Sequence, residues 1–255
     1  MGFGVLVARA ATSDESSSPK PAAACARSLF FNFQGIKDSR DQEVPVWHVP
    51  DSPVFFFEEG MTIDADGAPN TYNADNTGID DLSNAGEPGN WGALAVDPDG
   101  EPFIQGADDP FPGYYVSMTA LADRTKRIND PRRYVDASKI PYIVLPHSVA
   151  QQAGANLGDF GVVVNLRNGK VSNAIFADIG TMGEGSVALA DNLGIFSDAR
   201  RGGTRDGLLY MIFGGSGNGK PRSNDEINEQ ASTLLQSFGG MERATSCSAD
   251  LAAAR

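Results

Sequence analysis

The chain alternates short apolar runs with polar stretches rich in glycine and proline, and few apolar residues recur at helical spacing. Residues 46–49 and 54–57 predict short strands, with Phe55, Phe56 and Phe57 directed to a core. WGALAV (91–96), then DPDGE and PFIQ, predicts a β-hairpin turning at residues 97–100. Residues 114–117 are another strand candidate, and 121–133 a charged surface loop. PYIVLP (141–146), apolar and bounded by prolines, predicts a buried strand. Residues 162–166 and 171–177 flank Asn168-Gly169, a strong hairpin signal. GLLYMIF (207–213) predicts a further buried strand. Two helices are expected. One spans 186–193 and stops at Gly194; the other opens on a capping box, Ser223 with Glu226, and ends at Gly239. The sum is about six to eight short strands and two helices, a mainly β chain with peripheral helices (α+β) and most simply a small β-barrel.

Composition narrows this picture. The 255 residues are 41% apolar and 21% charged, which suits a soluble domain with one substantial core or two small ones. No apolar run approaches the roughly 20 residues needed to span a bilayer, so no membrane partner is expected. Residues 1–43 read as a flexible leader and linker. Residues 1–11 are too short, and lack the basic start, for a complete signal peptide, and 12–26 are rich in Ser, Pro and Ala. Residues 44–240 are expected to fold as one domain, with 241–255 as a C-terminal tail. A net charge of −13 disfavours nucleic acid and anionic membranes and suits a cationic partner, or serves solubility alone. Cys25 and Cys247 could pair or stay free. With only His48 and His147 to help, they make no convincing zinc site, so no metal and no cofactor are expected.

The chemistry-bearing candidate is VSNAIFADIGTMGEGSVALADNLG (171–194). A strand ends in Asp178, a glycine-containing loop follows, and Glu184 precedes the helix. Two carboxylates at the exit of a strand can face each other across a cleft, as glycoside hydrolysis requires. The structural alternative is a strand end and a helix-dipole partner. Residues 61–82 form the most acidic segment, an acidic wall facing substrate or an exposed turn. Its Asp64-Ala65-Asp66-Gly67 lacks the EF-hand positions for Gly and Glu. GGSGNGK (214–220) lacks the phosphate-loop spacing, and no nucleophile elbow accompanies His147.

Three segments, in order, resemble glycoside hydrolase family 75, the fungal and bacterial chitosanases: MTIDADGAPN (61–70), PYIVLP and AIFADIGTMGEGSVALADNLG (174–194). The resemblance implies an endo-acting, inverting hydrolase of β-1,4-linked glucosamine on a barrel of the double-psi type, with 44–240 as the catalytic domain. It places the catalytic pair on Asp178 and Glu184, with Glu184 as general acid and Asp178 as the base. It places Asp64 and Asp66 in the cleft. Tyr72 and Trp91 are candidates for sugar contact. The partner is then chitosan or a related polysaccharide, the protein is expected to be a secreted monomer, and the negative charge would concentrate a polycation. A non-catalytic binding protein for a cell-wall glycan is the alternative.

Overall fold

The structure, a computed structural model, describes residues 1–2, 25–37 and 40–249. Residues 3–24 of the expected leader and 250–255 of the expected tail lie outside the described residues. In chain order, β1 (Ser28–Lys37), β2 (Arg40–His48) and β3 (Val54–Asp64) come first. After them come the two-residue strands β4 (Gly86–Glu87) and β5 (Asn90–Trp91), then β6 (Tyr142–Leu145). Helix α1 (His147–Ala153), β7 (Phe160–Asn165), β8 (Val171–Ile179), β9 (Glu184–Ser186) and helix α2 (Val187–Leu193) follow. Strand β10 (Thr204–Phe213) and helices α3 (Asn224–Phe238) and α4 (Gly240–Ala249) complete the described chain.

The main sheet runs β1-β2-β3-β10-β7-β8-β6-β9, and β9 pairs back onto β3. Six strands thereby close a barrel, and the β1–β2 hairpin extends from its β3 edge. The expected small barrel with peripheral helices is what forms. The Asn168-Gly169 turn joins β7 to β8, with Gly169 at φ +72° as such a turn requires.

Alternation along the strands sorts the core into two faces. Phe55, Phe57, Ile143, Val163, Phe176, Tyr210 and Ile212 belong to one buried cluster drawn from five strands. A Cβ on Gly161 of β7 would lie 2.9 Å from Cδ1 of Ile143 on β6, although β8 separates those strands. The two residues meet across the barrel, so this face is the interior. Helix α2 touches β3, β6, β7, β8 and β9, as an end plug must. Leu209, Met211, Val162 and Ile175 belong to the outer face, where Ile227, Ala231, Leu235 and Phe238 of α3 cover them. Each of these side chains larger than alanine contributes roughly 1.5–3 kcal/mol by leaving water.

Several expectations change: four α-helices form among the described residues where two were expected, and residues 114–117 make only isolated bridges. Residues 91–104 form no regular hairpin; the turn at Asp97–Gly100 is present, but only isolated bridges such as Val96–Pro102 and Ile104–Tyr115 flank it. Glu184 precedes the helix as expected, but it lies in a strand: residues 184–186 form β9, and α2 starts after Ser186, whose hydroxyl caps it. Folded structure also extends past the expected catalytic stretch at both ends. β1 and the first half of β2 precede Val44, α4 covers residues 240–249, and a disulfide between buried Cys25 and Cys247 ties the two ends together.

Between β3 and β6 lies a long wall with little regular secondary structure. Side chains take over the work of a ladder there. Asp81, Asp97, Asp123, Asp130 and Asp136 each accept the backbone N–H two residues on through Oδ1, and Asp64 and Asp198 do the same at its margins. Such Asx turns fix a loop locally without a sheet partner. Part of the acidity of the chain is therefore structural.

Candidate active site

Four neighbouring strands build one wall of a cleft of about 980 Å³. Thr62 of β3 pairs with Glu184 of β9, Glu184 pairs with Val144 of β6, and Val144 pairs with Asp178 of β8. All four residues line the cleft. Glu184 and Asp178 are thus separated by one strand, so their backbones stand about 10 Å apart, two strand spacings.

Asp178 reaches this wall because of a bulge. Ile143 pairs with Phe176 and Val144 with Asp178, so Ala177 is an extra residue in β8. Strict alternation would send Asp178 into the barrel with Ala174 and Phe176. The inserted residue turns it to the cleft instead. Its Oδ1 then accepts the N–H groups of Ala120 (2.9 Å) and Ile179 (2.8 Å).

Glu184 is held on both sides by strand pairing, and its Oε2 accepts the Thr181 N–H at 2.7 Å. A Cβ at position 180 would stand 2.5 Å from that oxygen and 2.9 Å from Val144 Cγ1. Gly180 therefore lets the carboxylate lie against the loop.

The floor of the cleft is a carboxylate cluster. Asp64, Asp66 and Asp178 each offer an oxygen within 4.8 Å of the others. The Tyr72 hydroxyl lies 2.8 Å from Asp66 Oδ1 and 3.1 Å from Asp80 Oδ2. Ser117 Oγ also donates to Asp66, and the Tyr142 hydroxyl donates to its carbonyl. The turn that presents this pair needs Gly67: φ is +77°, and a Cβ there would lie 2.2 Å from the Val135 carbonyl oxygen.

Burial and crowding raise the pKa values of the cluster. Desolvation first, then the charge of Asp64, pushes Asp178 up to about 8. Desolvation likewise raises Asp64 to about 6 and Asp66 well above the carboxylate range, where the neighbouring carboxylates add to it. Asp80 is raised as well, again by burial. The cluster therefore holds protons near neutral pH. The same oxygen set suits a positively charged group, an ammonium or a hard cation.

The structure brings together Asp178, Glu184, Asp64 and Asp66. Tyr72 is among the residues lining the cleft; its ring is largely buried and its hydroxyl meets the carboxylates of the floor. Trp91 packs beside Tyr72, Ala85, Ala93 and Leu94, while its neighbours Asn90 and Gly92 line the cleft. His147 is exposed at the start of α1, and His48 bonds Ser28; neither lines the cleft. Asp80, Arg200 and the Ala120 N–H went unrecognised in the sequence. Asp80 at least stood within the acidic segment; Arg200 carried no motif.

No curated protein was found to match the chain. A family model described as fungal chitosanase of glycosyl hydrolase group 75 matches residues 61–242, which takes in every carboxylate of the cleft. No helix among the described residues is long and apolar enough to cross a membrane. On the strength of that match, which covers most of its length, the chain belongs to the group 75 glycosyl hydrolases, the chitosanase family.

Proposed function

We propose that the protein is an endo-acting, inverting chitosanase in which Asp178 and Glu184 act directly on the glycosidic bond. The observation that carries this reading is their placement on one cleft wall with a single strand between them. Side chains leaning from backbones about 10 Å apart fit the roughly 6.5–9.5 Å that inversion needs for a water beside the sugar.

The environment of Asp178 favours a reversal of the roles drawn from the sequence. A carboxyl that keeps its proton up to about pH 8 is suited to protonate the leaving oxygen. Glu184, its Oε2 already taking an N–H, is suited to be the base that removes a proton from the attacking water. Water adds to the anomeric carbon as the bond to the leaving oxygen breaks; Glu184 gains the proton and Asp178 loses one. Asp64 and Asp66 form a floor of carboxyl oxygens that an ammonium group of glucosamine would draw into the ionised form, a gain that neutral acetamides would not supply. Export suits a polymeric substrate and the Cys25–Cys247 disulfide, since such bonds persist in oxidising compartments.

The test is reducing-end release from chitosan, with chitin and carboxymethyl cellulose as controls, by wild type, Asp178→Asn and Glu184→Gln. Asp178→Asn should still cleave an activated aryl chitooligosaccharide, whose leaving group needs no acid. Glu184→Gln should be rescued by azide as an α-glycosyl azide. The opposite pattern would restore Glu184 as the acid. Binding of chitosan by wild type with no new reducing ends would make the protein a binder.

A further inference from the structure

Arg200 lies on the connection between α2 and β10, far in sequence from the acidic wall, yet its side chain crosses to it. Its Nη2 donates to the carbonyl oxygens of Asn76 (2.8 Å), Gly78 (3.1 Å) and Asp80 (2.8 Å), and to Oδ1 of Asn76 (3.1 Å). Nη1 stands 3.8 Å from Asp81. Most of the remaining bonds of this loop are local, such as Ile79 N–H to Asn70 and Leu82 N–H to Asn76. Arg200 also lines both the main cleft and a second groove of about 680 Å³, so its side chain stands at the partition between them.

The loop it grips carries Asp80. The Asp80 carboxylate meets the Tyr72 hydroxyl, which in turn meets Asp66, the inner member of the floor. With Nη2 turned to carbonyls and Nη1 near Asp81, the guanidinium is directed to the loop, which explains how a cation is tolerated in a cleft built for cationic sugars.

We propose that Arg200 is a positioning residue, a latch that fixes the backbone of residues 76–80 and, through Asp80 and Tyr72, the place of Asp66 beside Asp64 and Asp178. The proposal rests on the reading of this cleft as the site of chitosan cleavage. The planar guanidinium sets Nη2 among three carbonyls while Nη1 is directed to Asp81, an arrangement that a lysine ammonium on a flexible stem does not reproduce. Because small displacements of positioned groups cost up to about a hundredfold in rate, the loss should be large for a residue outside the chemistry.

The experiment compares wild type, Arg200→Ala, Arg200→Lys, Tyr72→Phe and the double variant Arg200→Ala/Tyr72→Phe. Amide hydrogen exchange reports on residues 76–84, and steady-state kinetics on chitosan report on activity. In Arg200→Ala, exchange across 76–84 should quicken at least about tenfold while β3, β6 and β8 keep their protection. The kcat/KM should fall about 10- to 100-fold, and Arg200→Lys should recover part of it. If Arg200 acts through the tyrosine, the double variant should lose little more than the worse single variant.

Multiplicative losses in the double variant would overturn the route through Tyr72. Unchanged exchange at 76–84 would overturn the latch itself. Should Arg200→Ala fail to fold, Arg200→Lys carries the same two readouts. The exchange measurement needs no substrate, so it decides the latch even if wild type proves not to cut chitosan.

Discussion

The barrel wall and the loop wall face each other across the cleft and are held by different physics. In the barrel, Asp178 and Glu184 are placed by strand pairing and by a packed apolar interior. In the loop wall, Asp66, Tyr72 and Asp80 are placed by side-chain hydrogen bonds, Asx turns and the grip of Arg200. A sheet ladder fixes a side chain through many backbone bonds, so no single residue matters much to it. A loop depends on individual side chains, each of which can be removed. The groups assigned to the chemistry stand on the rigid side, and those assigned to the electrostatic floor come largely from the other.

The comparison is broken most severely by removing the chemistry without disturbing either wall. Asp178→Asn and Glu184→Gln should each lower kcat on chitosan by about 10²–10⁴-fold, with unchanged circular dichroism. Next in size is the barrel interior: Phe57→Ala should cost about 3–5 kcal/mol, read by chemical denaturation, because the ring stacks on Tyr210 at 4.8 Å in a site that cannot collapse. Reduction of the Cys25–Cys247 bond, which spans 222 residues of sequence, should cost about 2–4 kcal/mol and leave the cleft intact, so stability should fall while kcat on chitosan persists.

A pH experiment then separates electrostatic strain from packing. Asp178 has a folded pKa of about 8 against an ordinary value of 3.8, so the folded state binds the extra proton between those limits. Stability is complete below about pH 4 and declines as pH rises towards 8. Asp178→Asn should remove that slope: melting temperatures of variant and wild type should converge near pH 4, and the variant should be the more stable near pH 8. A variant less stable at both pH values would show that the carboxylate is not strained. The smallest effect belongs to single turns of the loop wall. Asp97→Ala removes an oxygen that accepts the N–H groups of Asp99 and Glu101 and should cost about 0.5–1 kcal/mol, with little change in activity.

The strands of the barrel were legible because burial imposes apolar runs and turns impose glycine. PYIVLP, GLLYMIF and the Asn168-Gly169 turn all fall where the barrel uses them. Helix α3 announced itself by its capping box, which the structure retains in both directions. Helix α4 gave no such sign, and its place depends on a disulfide to a cysteine more than two hundred residues away. Strand β9 was invisible for a related reason. Three residues hold no period, and Glu184–Ser186 is extended only because β3 and β6 lie on either side of it.

The site divides in the same way. The sequence by itself determined that Asp64, Asp66, Asp178 and Glu184 stand at strand ends and glycine turns, because local backbone chemistry permits few other residues there. Only the tertiary structure decided which way they face and how many protons they hold. One extra residue in β8 turns Asp178 out of the barrel, and burial first, then the approach of Asp64 across a long stretch of chain, raises its pKa. Tyr72 and Arg200 belong wholly to that second class. A hydroxyl between two carboxylates and a guanidinium among carbonyls are recognisable only once the chain has closed, since both depend on distances that no sequence spacing encodes.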